Sequence, residues 1–532
     1  MGDDYAVVEE FLGALKSAVE ASDTAAAKEI VQKHSSIKSQ SVMDKLAMHL
    51  FQEQSDASSD FTSEIALKMV HFLASVDPST YLAPASKAVC LTAQTLANSP
   101  EKTMAVSPEL LQTLLGQLTM TENVSVSENA TMALVACAQK LGPSLVDPAI
   151  QGLVAIWRSQ YPVTSSSNGS NKQQASTVAV RCASAMIDLL QKLHDLAFNS
   201  MNQHDALSLF LQMMTDDSDP LLQLSILDLL EQLTTNLQVS SNTVKIRSWL
   251  SSKPVLGPLL GFSGVSTTAS ADSHEDASEI DPLLGGSALR LLSAICSQSG
   301  LESVELLEPF HKALFNFSVQ AGSGEVDRLH LVHAVSNFCT SNQDALLVIL
   351  DDPTIRQSWL SLEQISQPKL KAAILLSVAM VIDPSLETVA VGDDVTMSDA
   401  TTRSKPEPQM CMKLYALLGQ ENNAVSTTEW MLQLCSSPMV ELRLASYTLL
   451  AAVAESSLSG AQVLLGHAPF LPFLLERSES SQDAQVAKFQ IVKGIYESTK
   501  GLLSDEISRK LEEHVKQGPY FVKARKLDVA VE

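Results

Sequence analysis

A helix that is apolar over most of its circumference cannot rest on the surface of a globular core; it has to be covered on several sides. Residues Ser437–Ala454 predict such a helix. Pro438 stands where the first turn would begin, since its missing N–H is no loss there. Leu442, Ala445, Leu449 and Val453 then fall on one face, and Leu444, Tyr447, Ala451 and Ala454 form a second ridge beside it. Only Glu441, Arg443, Ser446 and Thr448 interrupt the apolar surface. The same construction, a polar loop followed by a nearly all-apolar helix, recurs along the chain. Recurrence of that kind predicts an all-α protein, a right-handed α-solenoid of stacked armadillo/HEAT-like repeats.

The copies can be followed in order. Val8, Phe11, Leu12 and Leu15 share a face in a first helix, and Asp23 is placed to cap a second through His34. A helix through Ala130, Leu134 and Cys137 is followed by one that Asp147-Pro148 would start, carrying Leu153, Ile156 and Trp157. Asp219-Pro220 and Asp281-Pro282 repeat the cap-then-proline signature ahead of apolar runs ending near Leu233 and Ile295. No window alternates with period two, so no strand is expected. The reading is one array over residues 1–532, of roughly ten helix pairs with roughly forty residues each. Three segments, about 163–176, 263–280 and 384–408, are polar, acidic or proline-punctuated and read as flexible insertions. Residues 502–532 are expected to form a terminal cap and tail, because Glu506, Arg509, Lys510, Glu512 and Glu513 supply the polar outer face that the end of an array needs.

The formal charge of −24 disfavours nucleic acid and anionic lipid as partners, and favours a basic protein partner or simple solubility. Seven cysteines lie singly in apolar contexts, without a Cys-x-x-Cys pair, as small buried hydrophobes of a reducing compartment do. The start of the chain carries no signal-peptide pattern, and no apolar run reaches membrane-spanning length. A cytosolic or nuclear soluble protein is expected.

Catalytic signatures are missing. No Gly-Lys dipeptide occurs, which excludes a phosphate-cradling loop of the Gly-x-x-x-x-Gly-Lys-Ser/Thr type. Gly261-Phe262-Ser263-Gly264 is one residue short of a nucleophile elbow, with no strand before it. Asp327, His330 and His333 share a helical face as metal ligands would, but polar side chains on a solvent-facing helix explain them more simply, and no further ligand is obvious. The four tryptophans lack an asparagine four residues on, so they do not form the Trp/Asn ladder of nuclear-import armadillo arrays and read as core. Hence no catalytic, cofactor-binding or metal residue is assigned, no cofactor is expected, and the partner-binding residues are unknown.

The C-terminal third carries a more specific pattern. Glu429-Trp430, then Ser436 to Ala445, Gly466 to Leu471, Ser480 to Lys493 with Asp483, Ala484, Ala487, Lys488 and Phe489, and finally Gly518-Pro519-Tyr520-Phe521-Val522-Lys523 follow in a fixed order. In that order and spacing they resemble the 26S proteasome non-ATPase regulatory subunit 5 family, and Glu122 to Val126 and Asp281-Pro282 are similar to it upstream. The resemblance implies a non-enzymatic chaperone for assembly of the proteasome's regulatory particle base. Such a chaperone binds the C-terminal domain of one ATPase subunit, in a precursor with a second ATPase and the large scaffold subunit. It is absent from the finished proteasome and monomeric when free. Gly518, Pro519, Tyr520 and Phe521 are expected to pack the tail back onto the last helices.

Overall fold

The computed structural model describes residues 2–21, 24–34, 108–120, 124–160, 169–237, 240–265, 280–298, 304–320, 324–385 and 406–520, apart from single residues at 342, 364, 478, 480 and 501, with isolated positions between 42 and 87. The protein is an all-α solenoid; among the described residues there is no strand, and no helix is long and apolar enough to cross a membrane. By their contacts the helices fall into two compact units, a division that the uniform alternation of loop and apolar helix does not predict.

The first unit, residues 1–229 with 240–246, holds α1 (Gly2–Glu20), α2 (Thr24–Lys33), α3 (Pro108–Leu118), α4 (Val124–Leu141), α5 (Pro143–Gln160), α6 (Gly169–Leu193), α7 (Asp195–Gln203) and α8 (Ala206–Met214). The face predicted for α1 is the buried one: Phe11, Leu12 and Leu15 are fully enclosed. Trp157 of α5 is buried edge-on against Phe210 of α8, with ring centroids 5.1 Å apart. Two expectations change in this unit. Asp147-Pro148 does not start α5, which begins at Pro143 and keeps Pro148 inside its second turn. Asp147 is instead a joint, accepting from Ser200 Oγ at 2.8 Å and lying 2.9 Å from His204 Nε2. The segment 163–176 is also not all loop: α6 starts at Gly169, Ala175 is buried, and Ser176 donates to the Asp219 carboxylate at 2.6 Å. Composition misled there because alanines and serines that pack closely look the same as those of a linker.

The division runs through α9 (Pro220–Asn236) and α10 (Val244–Leu250). The second unit, residues 230–239 with 247–532, continues with α11 (Lys253–Phe262), α12 (Pro282–Gln298), α13 (Val304–Gln320), α14 (Glu325–Ser341), α15 (Gln343–Asp351), α16 (Pro353–Leu360), α17 (Pro368–Ile382), α18 (Pro408–Gln420), α19 (Thr427–Cys435), α20 (Val440–Ser456), α21 (Leu458–Leu465), α22 (Phe470–Leu475), α23 (Gln482–Ser498) and α24 (Asp505–Gln517). Its spine is a row in which α12 packs on α14, α14 on α17, α17 on α20 and α20 on α23. The proline-start signature works at Asp219-Pro220 and Asp281-Pro282, although not at Asp147-Pro148: Asp219 accepts from Leu222 N, and Asp281 from Leu283 N and Leu284 N. It fails at Pro438, because α20 starts at Val440 with Met439 as its cap residue. The predicted circumference is nevertheless right. Leu442, Ala445, Tyr447, Leu449, Leu450 and the run Ala451–Ala454 are all buried, and Ser446 turns its hydroxyl back to Leu442 O at 2.7 Å. Gly494 lets α23 approach α20: a Cβ there would stand 2.6 Å from Glu455 Cγ and 3.4 Å from Ala454 Cβ.

Residues 386–405 and 266–279, most of two predicted insertions, lie outside the described residues. The helices before and after 386–405 are joined directly. Arg356 Nε meets Glu421 Oε1 at 2.6 Å, Lys413 Nζ meets Asp351 Oδ1 at 2.9 Å, and Asn422 bonds both Leu360 O and Leu362 N.

Candidate functional site

The feature nearest to a site is a small polar cavity at the C-terminal end of the second unit, between α22, α23 and α24. Leu474, Glu476, Arg477, Glu479, Lys488, Phe489, His514, Pro519 and Tyr520 are among its walls, around a volume of about 60 Å³. That is room for about four waters, well below the few hundred Å³ of a small-molecule pocket.

A buried polar network leads to it from the spine. The Tyr447 hydroxyl of α20 donates to Glu479 Oε1 at 2.6 Å, Arg443 Nε lies 3.9 Å from Glu479 Oε2, and Gln485 Nε2 donates to Glu479 O at 2.7 Å. Burial, with the carboxylate accepting from it, raises the Tyr447 pKa and keeps the hydroxyl a donor. Lys488 of α23 is 5% exposed; its Nζ donates to Glu476 O at 2.8 Å and sits 4.3 Å above the Phe473 ring. Burial pulls its pKa down against the opposing pull of Glu479 and Glu476. His514 stacks on Phe489 and is held neutral, its pKa lowered to about 4 by burial and by the neighbouring Arg477 and Lys488 charges.

The floor of the cavity is the end of the described chain. Gly518 has φ +76, a backbone that side chains resist, and this turns the chain back after α24. Arg477 secures the turn, with Nη1 donating to Gly518 O at 2.8 Å and Nη2 to His514 O at 3.4 Å and Gln517 Oε1 at 3.3 Å. Gly518, Pro519 and Tyr520 therefore do lie back against the last helices, although Tyr520 stays 58% exposed; Phe521 is outside the described residues.

Within this end of the chain a family match falls. Residues 394–532 match the family model of the proteasome non-ATPase 26S subunit. The cavity, its buried network and α20 are all inside the stretch similar to that proteasome family. A comparison with curated proteins found no match. Among solved structures, an engineered protein is 14% identical with a TM-score of 0.43, over 90% of this chain and 99% of that one. Importin beta is 12% identical with a TM-score of 0.44, over 97% of this chain and 73% of that one. Kap121p is 13% identical with a TM-score of 0.39, over 95% of this chain and 53% of that one, so the chain spans about half of its length.

The other candidates lie elsewhere. Asp327, His330 and His333 do share α14, but α14 is not a solvent-facing helix. It is part of the spine: His330 lies against Gly286, and Arg290 stands close to both imidazoles. Burial and that cation lower both pKa values to about 4. A guanidinium beside two imidazoles opposes a bound dication, and among the described residues no cluster of three ligand-type side chains forms. Trp157 and Trp359 are fully buried, Trp359 donating to Ser377 Oγ at 2.8 Å, whereas Trp249 and Trp430 are half-buried. The six described cysteines are all buried; burial pushes Cys137 up to about 11 and Cys182 and Cys296 up to about 12, far from a reactive thiolate. Cys90 lies outside the described residues.

The charged members of the network were not foreseen as a group. One signal for them exists in the sequence. Lys488 occupies the apolar stripe that Ala484, Ile491, Val492 and Ile495 define, where a lysine must snorkel or find a partner.

Proposed function

We propose that this protein is a chaperone for assembly of the 26S proteasome regulatory particle base, of the non-ATPase regulatory subunit 5 type. The observation that carries the reading is the match of residues 394–532 to the proteasome non-ATPase 26S subunit family, over the same stretch that holds the ordered motifs from Trp430 to Lys523. In this reading the chain is not an enzyme and needs no cofactor. It binds the C-terminal domain of a base ATPase in a precursor with a second ATPase and the large scaffold subunit. It works by occupancy, keeping that ATPase from docking on the core particle until assembly displaces it. Such release requires higher affinity for the precursor than for the product. The cell compartment is the cytosol, the nucleus or both.

Affinity capture of the full chain from native extract, followed by crosslinking to a panel of recombinant ATPase C-terminal domains, tests the reading. Recovery of base ATPases without the core particle is expected, with one domain crosslinking above the rest. Capture of transport factors and no ATPase would overturn it in favour of a transport adaptor.

A further inference from the structure

The packing of α12 on α14 brings the starts of both helices to one edge of the second unit. A Cβ on Gly286 of α12 would stand 2.8 Å from the His330 ring of α14, so these two positions touch. Leu283 lies three residues before Gly286 and Val326 four before His330, about one helical turn in each case. Ile280 N donates to Gln320 Oε1 at 3.3 Å, which sets the end of α13 at the same edge. The apolar side chains there are not covered: Leu283 is 53% exposed, Val319 59%, Val326 58% and Leu329 37%. Exposed apolar residues scattered singly need no explanation, but these four share one place.

The charges around them are of one sign. Asp281 accepts from the amides of Leu283 and Leu284, and Glu325 from Ser366 N, Ser366 Oγ and Gln367 N; Asp327 stands beside Val326. None of the three has an ion pair among the described residues, and amide donors leave the net charge in place. The arginines of these helices are turned elsewhere, Arg290 to Glu231 and Arg328 to Ser358 O and Ser361 O. Between Lys253 and Arg290 the sequence holds five acids, Asp281 among them, and no lysine or arginine. Lys369, in the first turn of α17, bounds the patch on the other side.

We propose that this edge docks a basic amphipathic helix of a partner protein, with apolar residues seven apart on its inner side and lysines or arginines flanking them. Packed helices lie about 8–10 Å apart, and residues seven apart on a helix are separated by about 10 Å along its axis. One partner helix laid across the edge therefore reaches Leu283 and Val326 together. Its cations face Asp281, Glu325 and Asp327, which repel an acidic segment, a nucleic acid or an anionic membrane. The edge lies outside residues 394–532, so the assignment does not rest on the assembly role, and its failure would leave that role untouched.

The test uses the full chain and two fluorescein-labelled peptides, read by anisotropy at physiological salt. One peptide is two repeats of Leu-Lys-Ala-Leu-Ala-Lys-Lys; the other has serine for each leucine and the same charge. The first is expected to bind about tenfold tighter than the second. Leu283→Ser/Val326→Ser removes that preference, and Asp281→Asn/Asp327→Asn weakens both peptides severalfold, less so at high salt. The substituted side chains are at the surface, so the variants should melt with the wild type; if the serine pair does not fold, Val319→Ser/Leu329→Ser gives the same reading. Equal binding of the two peptides to the wild type overturns the proposal, as does a preference that the folded serine pair retains. A peptide-free dimer on sedimentation that the serine pair turns into a monomer assigns the edge to a second copy, and also overturns it.

Discussion

Helices α20 and α24 belong to the same unit and the same family-matched stretch, yet they are built on opposite plans. In α20 ten residues are buried and the charged side chains are confined to Glu441, Arg443 and Glu455; in α24 Leu511 is the one buried residue, and Lys510–Glu506 and Lys516–Glu512 pairs lie on its surface. The difference is one of position in the stack. A helix with neighbours on both sides has to be apolar nearly all round, whereas α24, among the described residues, has neighbours on one side only and is wetted on the other. In this pair, amphipathicity goes with the outer position and its absence with the inner one.

The sharpest way to break this contrast is a charge at the centre of α20. Leu449→Asp puts an uncompensated carboxylate between stacked helices and is expected to cost several kcal/mol, roughly 4 or more, read as a fall in the denaturant midpoint. Stability equal to wild type would mean that the face is not buried. Gly494→Val tests the approach of α23 to α20, where an added side chain meets Glu455 and Ala454. A loss of about 1–3 kcal/mol is expected from such overpacking, while Gly116→Ala, where nothing lies within 4 Å, should not destabilise.

Acid sharpens the same comparison. His330 and His333 of the spine have pKa values lowered from 6.5 to about 4. Their neutral forms are favoured by folding, so this contribution is fully present above pH 6.5 and is lost as the pH falls toward 4. Each is worth at most about 3 kcal/mol. The double variant His330→Gln/His333→Gln is expected to flatten the fall in melting temperature between those pH values; an unchanged slope would place the imidazoles in water. The smallest effect concerns the segment between α17 and α18. Deleting 386–405 should leave the melting temperature within about a few degrees, and a collapse on scanning calorimetry would show that the segment packs.

Much of this architecture was legible beforehand because it is periodic. The buried faces of α1 and α20 follow from spacing alone, as do the Asp219 and Asp281 caps, where cap and proline are adjacent. What the spacing did not reveal depends on partners distant in the chain. Asp147 looks like a helix cap until Ser200 and His204 reach it, and α14 looks solvent-facing until Arg290 and Gly286 close on its histidines. Ala175 and Ser176 have the composition of a linker and the environment of a packed helix. Lys488 was visible as a family motif residue, but its burial, and with it the cavity, depends on where Glu479, Arg477 and Gly518 arrive.

The joint between α15–α16 and α18 has a consequence for how the chain can be cut. Arg356–Glu421, Lys413–Asp351 and the two bonds of Asn422 to Leu360 and Leu362 hold the two sides together without using any residue between 386 and 405. Continuity of the polypeptide is therefore not what aligns the family-matched helices with those before them. Two separately expressed pieces, ending at 385 and starting at 406, carry complementary halves of one recognition surface and should find each other in solution, which makes this position a natural place to split the protein into a reporter pair.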